Sequence, residues 1–172
     1  DWDAETNLSH GDARACALHG MDPALGQLGA PGPDLLVHVV PEDRPALDRA
    51  LASALAGRTP LNVEYRTWAP GGDVTWVQLR GRVLRDDRGT ATRLAGVALD
   101  ISDRKDTEAA LRESEARFRA IADTMPQAVW STTPDGRVDY FNRRWHEMTG
   151  GRPGESEGQG WLESVHPEDR PL

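Results

Sequence analysis

Three groups of residues in this chain have types and spacings that chemistry would need. Residues 154–158 read GESEG, the G-x-S-x-G spacing of a hydrolase nucleophile elbow, in which a sharp strand-to-helix turn exposes the serine. Such a turn needs a strand before Ser156 and a helix after it, but GGRP precedes and GQGW follows. The segment reads as a loop. His10, Cys16 and His19 form a second group, with Cys16 and His19 on one helical face at i, i+3. A structural zinc site takes four ligands, and neither a fourth ligand nor a paired C-x-x-C accompanies these three, so no metal is expected. His38 and His166 form the third group. Each lies just before the phrase PEDRP, where turn and helix-start packing is the expected role. No nucleophile, base and orienting group come together, and a non-catalytic role is expected.

Composition narrows the partners. The 172 residues carry 28 acidic and 20 basic side chains, a formal charge of −8, which opposes phosphate backbones and anionic lipid; nucleic acid and direct membrane contact are not expected. One cysteine excludes an intrachain disulfide, and no apolar run of about 18 residues offers a membrane span. A soluble, cytoplasmic segment is expected, within a parent protein free to be membrane-anchored elsewhere.

The elements that would position these residues follow from periodicity. After the first PEDRP, Leu47, Leu51 and Leu55 recur at i, i+4, i+8, with a proline at the start and Gly57 at the end, which predicts a helix. Residues 61–68, 74–84 and 92–101 alternate or are rich in β-formers, and the short Gly/Asp connections between them predict antiparallel hairpins. Alternation suggests that Val63, Tyr65, Val77, Leu79, Val83, Val97, Leu99 and Ile101 face the core, leaving Glu64, Arg66, Trp68, Trp76, Gln78 and Arg80 on the outer face. Two tryptophans there call for a cover. Residues 103–125 contain neither Gly nor Pro and predict one helix, on which Leu111, Ser114, Phe118, Ile121 and Met125 follow a coiled-coil rhythm.

PEDRP occurs twice, at residues 41–45 and 167–171, and its context repeats as well. At an offset of 130, Leu8 falls on Val138, Asp12 on Asn142, Leu18 on Met148, Gly20 on Gly150 and Pro23 on Pro153. The chain therefore reads as two copies of one module. The second stops before its long helix and last three strands, and a unit of that size would not close a core by itself; further chain is expected to complete it.

These residues resemble the PAS family with its C-terminal PAC motif. The resemblance rests on EYR at residues 64–66, GGDVTWVQLRG at 71–81, LAGVALDISDRK at 94–105 and HPEDRP at 166–171. It implies an α+β fold: a five-stranded antiparallel sheet with small helices on one face, and a helical linker to a second, incomplete PAS domain. The implied boundaries are 1–102 for the first domain with its N-terminal strand trimmed, 103–120 for the linker and 121–172 for the second domain. A sensory role upstream of an output domain is implied, most simply a histidine kinase, with a diguanylate cyclase sensor or a ligand-free dimerisation scaffold as alternatives. The family transmits through the triad at the end of its last strand, here Asp100, Ile101 and Ser102. A small-molecule pocket would be walled by Leu35, Leu36, Tyr65, Leu79, Val97 and Leu99. A homodimer would form through Trp68, Trp76, Leu111, Phe118 and Ile121. The cofactor stays unknown, although Cys16 lies outside the Asn-Cys-Arg-Phe motif of flavin-adduct light sensors and the PEDRP helix has no haem-ligating histidine.

Overall fold

The computed structural model of the chain describes residues 1–69 and 72–170, without the side chains of Pro33 and Leu35. Two compact units result, Asp1–Thr107 and Glu108–Leu172. In the first, short strands β1 (Trp2–Asp3) and β2 (Leu8–Ser9) precede helices α1 (Ala13–Leu18) and α2 (Pro23–Leu28). Strand β3 (Ala30–Pro31), a 3-10 turn (Gly32–Leu36), helix α3 (Arg44–Leu55) and strands β4 (Leu61–Trp68), β5 (Val74–Arg85) and β6 (Ala91–Asp100) follow.

Among the described residues the sheet has six strands in the order β3-β2-β1-β6-β5-β4, all antiparallel. Five were expected. The sixth is β3, two residues that pair with β2 through Ser9 and Ala30; its Pro31 has no N–H to donate, which suits a sheet edge and hides the strand from a reading based on length. At the opposite edge, residues 38–40 run along β4: Trp68 N–H donates to the His38 carbonyl at 2.8 Å and Val40 N–H to the Arg66 carbonyl at 2.9 Å.

Helix α3 carries Pro45 in its first turn, where no N–H is required, and ends before Gly57, whose φ of +73° suits the left-handed C-terminal position. Its inward face buries Leu47 against Val39, Tyr65 and Val77, with Leu51 packed alongside. A buried leucine of this kind contributes roughly 2–3 kcal/mol of transfer free energy.

One face assignment is corrected by the register. On β5, Val77 and Leu79 point inward, and Leu79 pairs with Ala98 and Gly81 with Gly96. The inward set of β6 is therefore Leu94, Gly96 and Ala98, whereas Val97 opposes Arg80 and Leu99 opposes Gln78 on the outer face, 55% and 43% exposed. An irregularity between Leu84 and Arg85 sets this register, and a shift of one residue transfers every side chain to the other face.

Helix α4 (Ser102–Thr124) begins in the first unit and continues into the second. There β7 (Trp130–Thr132) pairs antiparallel with β8 (Val138–Phe141), and α5 (Arg143–Thr149) follows. The repeat holds at the level of individual hydrogen bonds. Asp12 caps α1 by accepting from Ala15 N–H at 2.8 Å, and Asn142, 130 residues on, caps α5 by accepting from Trp145 N–H at 3.1 Å. Gly20 and Gly150 end the two helices with φ of +66° and +74°. The second PEDRP opens a 3-10 turn, Pro167–Asp169, at which His166 Nδ1 accepts from Glu168 N–H.

Candidate functional site

Inside the first unit, the inward sheet face and the small helices enclose a cavity of about 260 Å³. Leu51 and Leu55 of α3, Leu61, Leu79, Leu94 and Ala98 of the sheet and Leu36 of the 3-10 turn supply apolar walls. Asp1, Trp2, Ser9, His10, Cys16 and His19 bring polar and sulfur-bearing side chains to its wall. The small residues Gly96 and Ala98 leave this space, and a Cβ added at Gly96 would stand 2.3 Å from the Arg80 carbonyl oxygen. Close backbone approach of this kind is what glycine inside a strand signals.

His19 closes one wall. Its Nδ1 lies 2.8 Å from the Ala15 carbonyl oxygen and its Nε2 2.7 Å from the Tyr65 hydroxyl. A carbonyl only accepts, so Nδ1 carries the proton and Nε2 accepts from Tyr65. Burial holds the imidazole below its ordinary value and pushes the Tyr65 phenol up. Burial also raises the Cys16 thiol. With both nitrogens engaged, His19 has no lone pair for a metal, and among the described residues no three His, Cys, Asp or Glu side chains gather around a common point.

Of the pocket residues expected from sequence, Leu36 and Leu79 line the cavity, and Tyr65 is fully buried behind His19. Val97 and Leu99 lie on the outer face, and the side chain of Leu35 is outside the described residues. Sequence reasoning missed Leu51, Leu55, Leu61, Leu94 and Ala98 as walls. The i, i+4 leucines and the Gly-x-Ala pattern were the available signals.

A second feature joins the sheet to α4. Asp100 Oδ1 accepts from Ser102 N–H at 2.9 Å, tying off an orphan amide of the helix start. Ile101 N–H donates to the Trp76 carbonyl at 2.9 Å, while Trp76 N–H donates to Ser102 Oγ at 3.1 Å. Both backbone groups of Trp76 are thus bound by the junction. Its indole is covered from two directions: Lys105 Nζ lies 4.7 Å and the Arg66 guanidinium carbon 5.4 Å from the ring centre. The two cations are held in turn. Glu64 bonds Lys105 and Arg104 at 2.7 Å each, and those bonds, Lys105 first, lower its carboxyl. Asp43 of the first PEDRP accepts Arg66 Nε and Nη2, both at 2.8 Å, and also Arg66 N–H, and the guanidinium bonds hold its carboxyl below the usual range. The repeated phrase thus has a physical role here: Asp43 grips the strand residue that stacks on Trp76.

The remaining sequence candidates separate clearly. Trp76 is half-buried under its own chain's cations, whereas Trp68 is exposed. Leu111, Phe118 and Ile121 are exposed on α4, with Phe118 edge-on to Tyr140 at 5.3 Å. Ser156 lies in a loop with no strand before it or helix directly after it.

Residues 10–98 match the family model described as the PAS fold, and residues 116–171 match the model described as the PAS domain. The chain belongs to the PAS family. It is 43% identical over 130 residues to the uncharacterized protein y4lL of Sinorhizobium fredii, covering 76% of this chain and 16% of that one. It is 29% identical over 155 residues to the sensor protein FixL of Bradyrhizobium diazoefficiens, covering 86% of this chain and 30% of that one. Among solved structures, a sensory box histidine kinase/response regulator from Burkholderia thailandensis aligns with a TM-score of 0.58 at 28% identity, over 69% of this chain and 87% of that one. This PAS pair spans less than a third of the length of these curated relatives. Its role is sensory signal transduction, the setting in which these PAS relatives occur. Among the described residues no helix is long and apolar enough to cross a membrane.

Proposed function

We propose that the first PAS unit senses a small, largely apolar molecule in its cavity and relays the event through the Trp76 junction into α4. The supporting observation is that one strand serves both places. Strand β5 turns Leu79 into the cavity and, three residues earlier, holds the helix start through both backbone groups of Trp76. A displacement of β5 by ligand would therefore alter the bonds that seat Ser102 and Lys105. The sites act by binding and movement, without catalysis. In the parent protein the output is most simply a histidine kinase, the activity named for two relatives, one of them the solved Burkholderia structure. A parallel homodimer through Leu111, Phe118 and Ile121 of α4, with coiled-coil pairing, would place two such helices side by side.

The test is output measured in the full-length protein with Ser102→Ala and Glu64→Gln. Ligand affinity should stay within about twofold of wild type while the ligand-dependent change in output disappears. An unchanged response in the double variant would sink the relay. A second reading, a ligand-free dimerisation scaffold, is favoured by the exposed outer-face residues Trp68, Val97 and Leu99. Native mass spectrometry separates the two readings: retained small molecule supports sensing, and a dimer without one supports the scaffold.

A further inference from the structure

Strand β4 begins opposite Gly81, so among the described residues the last stretch of β5, from Arg82 to Arg85, pairs with a strand on one side only. Its open side faces the loop that follows α3, and between them lies a cleft of about 330 Å³. Ala54, Pro60 and Val83 give it apolar lining, and Arg58, Arg82 and Arg85 give it three guanidinium groups. Among the described residues no carboxylate lines it.

The three arginines are in different situations. Arg85 is fastened, donating through Nη2 to the Leu55 carbonyl at 2.6 Å and through Nη1 to the Gly89 carbonyl at 2.9 Å. Its charge thereby offsets the negative end of α3, which would otherwise repel an anion. Arg58 and Arg82 are exposed, and among the described residues neither guanidinium has a hydrogen-bonding or ion-pairing partner. The adjacent hairpin acid Asp86 is occupied, its Oδ1 accepting from Arg88 and Thr90 N–H. On a chain of net charge −8 this is a local reversal of sign, in which like charges face a shared space with no counter-charge.

We propose that this cleft binds the phosphate group of a small phosphorylated molecule, at a site separate from the apolar cavity. A phosphate carries more than one negative charge and several acceptor oxygens, which match arginine forks better than a monocarboxylate does. The apolar lining offers a surface to the rest of the molecule. Occupancy would tie the end of α3 to the β5–β6 hairpin, two segments that among the described residues Arg85 alone now bridges through side-chain hydrogen bonds.

Inorganic pyrophosphate is the probe, titrated into the whole chain by calorimetry and thermal melting at constant ionic strength set with chloride. A saturable rise in melting temperature is expected, with affinity weakened about tenfold by Arg58→Ala and by Arg82→Ala separately. Arg58→Lys should retain part of the binding. Both side chains are exposed, so the variants should melt as wild type does in chloride alone; should the Arg82 variant lose structure, the Arg58 pair decides. A pyrophosphate shift of equal size in the variants, a shift matched by acetate, or no saturable shift would each overturn the proposal.

Discussion

The two copies of the module start alike and bury themselves differently. Each opens with a short hairpin strand, an Asp or Asn cap, a six- or seven-residue helix and a left-handed glycine. In the first copy a long helix and three long strands follow, and Leu47, Tyr65 and Val77 become fully inaccessible. In the second, Trp130 and Met148 stay 59% and 64% exposed, and Trp145 Nε1 and His146 Nδ1 are buried without a hydrogen-bonding partner among the described residues. Capping chemistry sets local structure in both. Burial of the apolar face depends on the sheet that follows.

The contrast also shows in single residues. Asp12 makes one exposed capping bond. Its counterpart Asn142 is fully buried and makes four: Oδ1 accepts from Val129 and Trp145 N–H, and Nδ2 donates to the Ala122 and Gln127 carbonyls. In the second unit this one amide ties α4, the segment before β7 and the start of α5 together.

The largest expected effect is in the first core. Leu47→Ala should cost the first unit about 2–5 kcal/mol, while Met148→Ala should stay within about 0.5 kcal/mol in the second, both read by urea unfolding with unit-resolved hydrogen exchange. Equal effects would erase the difference in burial. Next, Asn142→Ala should cost roughly 3 kcal/mol against about 1 kcal/mol for Asp12→Ala, because the first leaves buried carbonyls unpaired. Similar losses from the two caps would show that Asn142 does no more than cap.

A smaller effect depends on pH. His19 and its counterpart Thr149 both bond the carbonyl four residues back, but only His19 titrates. Burial lowers the folded-state value of His19 from 6.5, so between that lowered value and 6.5 the unfolded chain binds more protons. First-unit stability should therefore fall as pH drops below about 6.5, by at most about 1.4 kcal/mol per pH unit, and level off below the folded value. His19→Thr should remove that slope in a melting-temperature series, and a slope that persists would assign it to another group. Smallest of all, Ser102→Ala should cost about 1 kcal/mol by orphaning Trp76 N–H, measured by exchange at that amide.

Much of this was legible in the chain. The repeat, the helix over Leu47 and Leu51 and the three long strands follow from periodicity and local chemistry. The facing of β6 did not. Both parities of its sequence carry apolar side chains, Leu94 and Ala98 on one and Val97 and Leu99 on the other, so hydrophobicity cannot choose between them. Size would have chosen correctly, because Gly96 and Ala98 belong on the side where space is kept. The Asp43–Arg66 bond was hidden for a different reason: it joins residues 23 apart in sequence, and no local pattern records a long-range ion pair.

The run of residues 38–40 along β4 has a consequence for how the protein behaves in a crowded solution. An open border of a sheet is a template on which foreign strands can add. Here the Arg66–Trp68 end of one border is occupied by the chain's own His38–Val40 backbone, and the other border is two residues long and ends in a proline. A shortened connection that pulled residues 38–40 away would expose the hydrogen-bonding groups of Arg66 and Trp68, and the first symptom would be self-association of otherwise folded molecules.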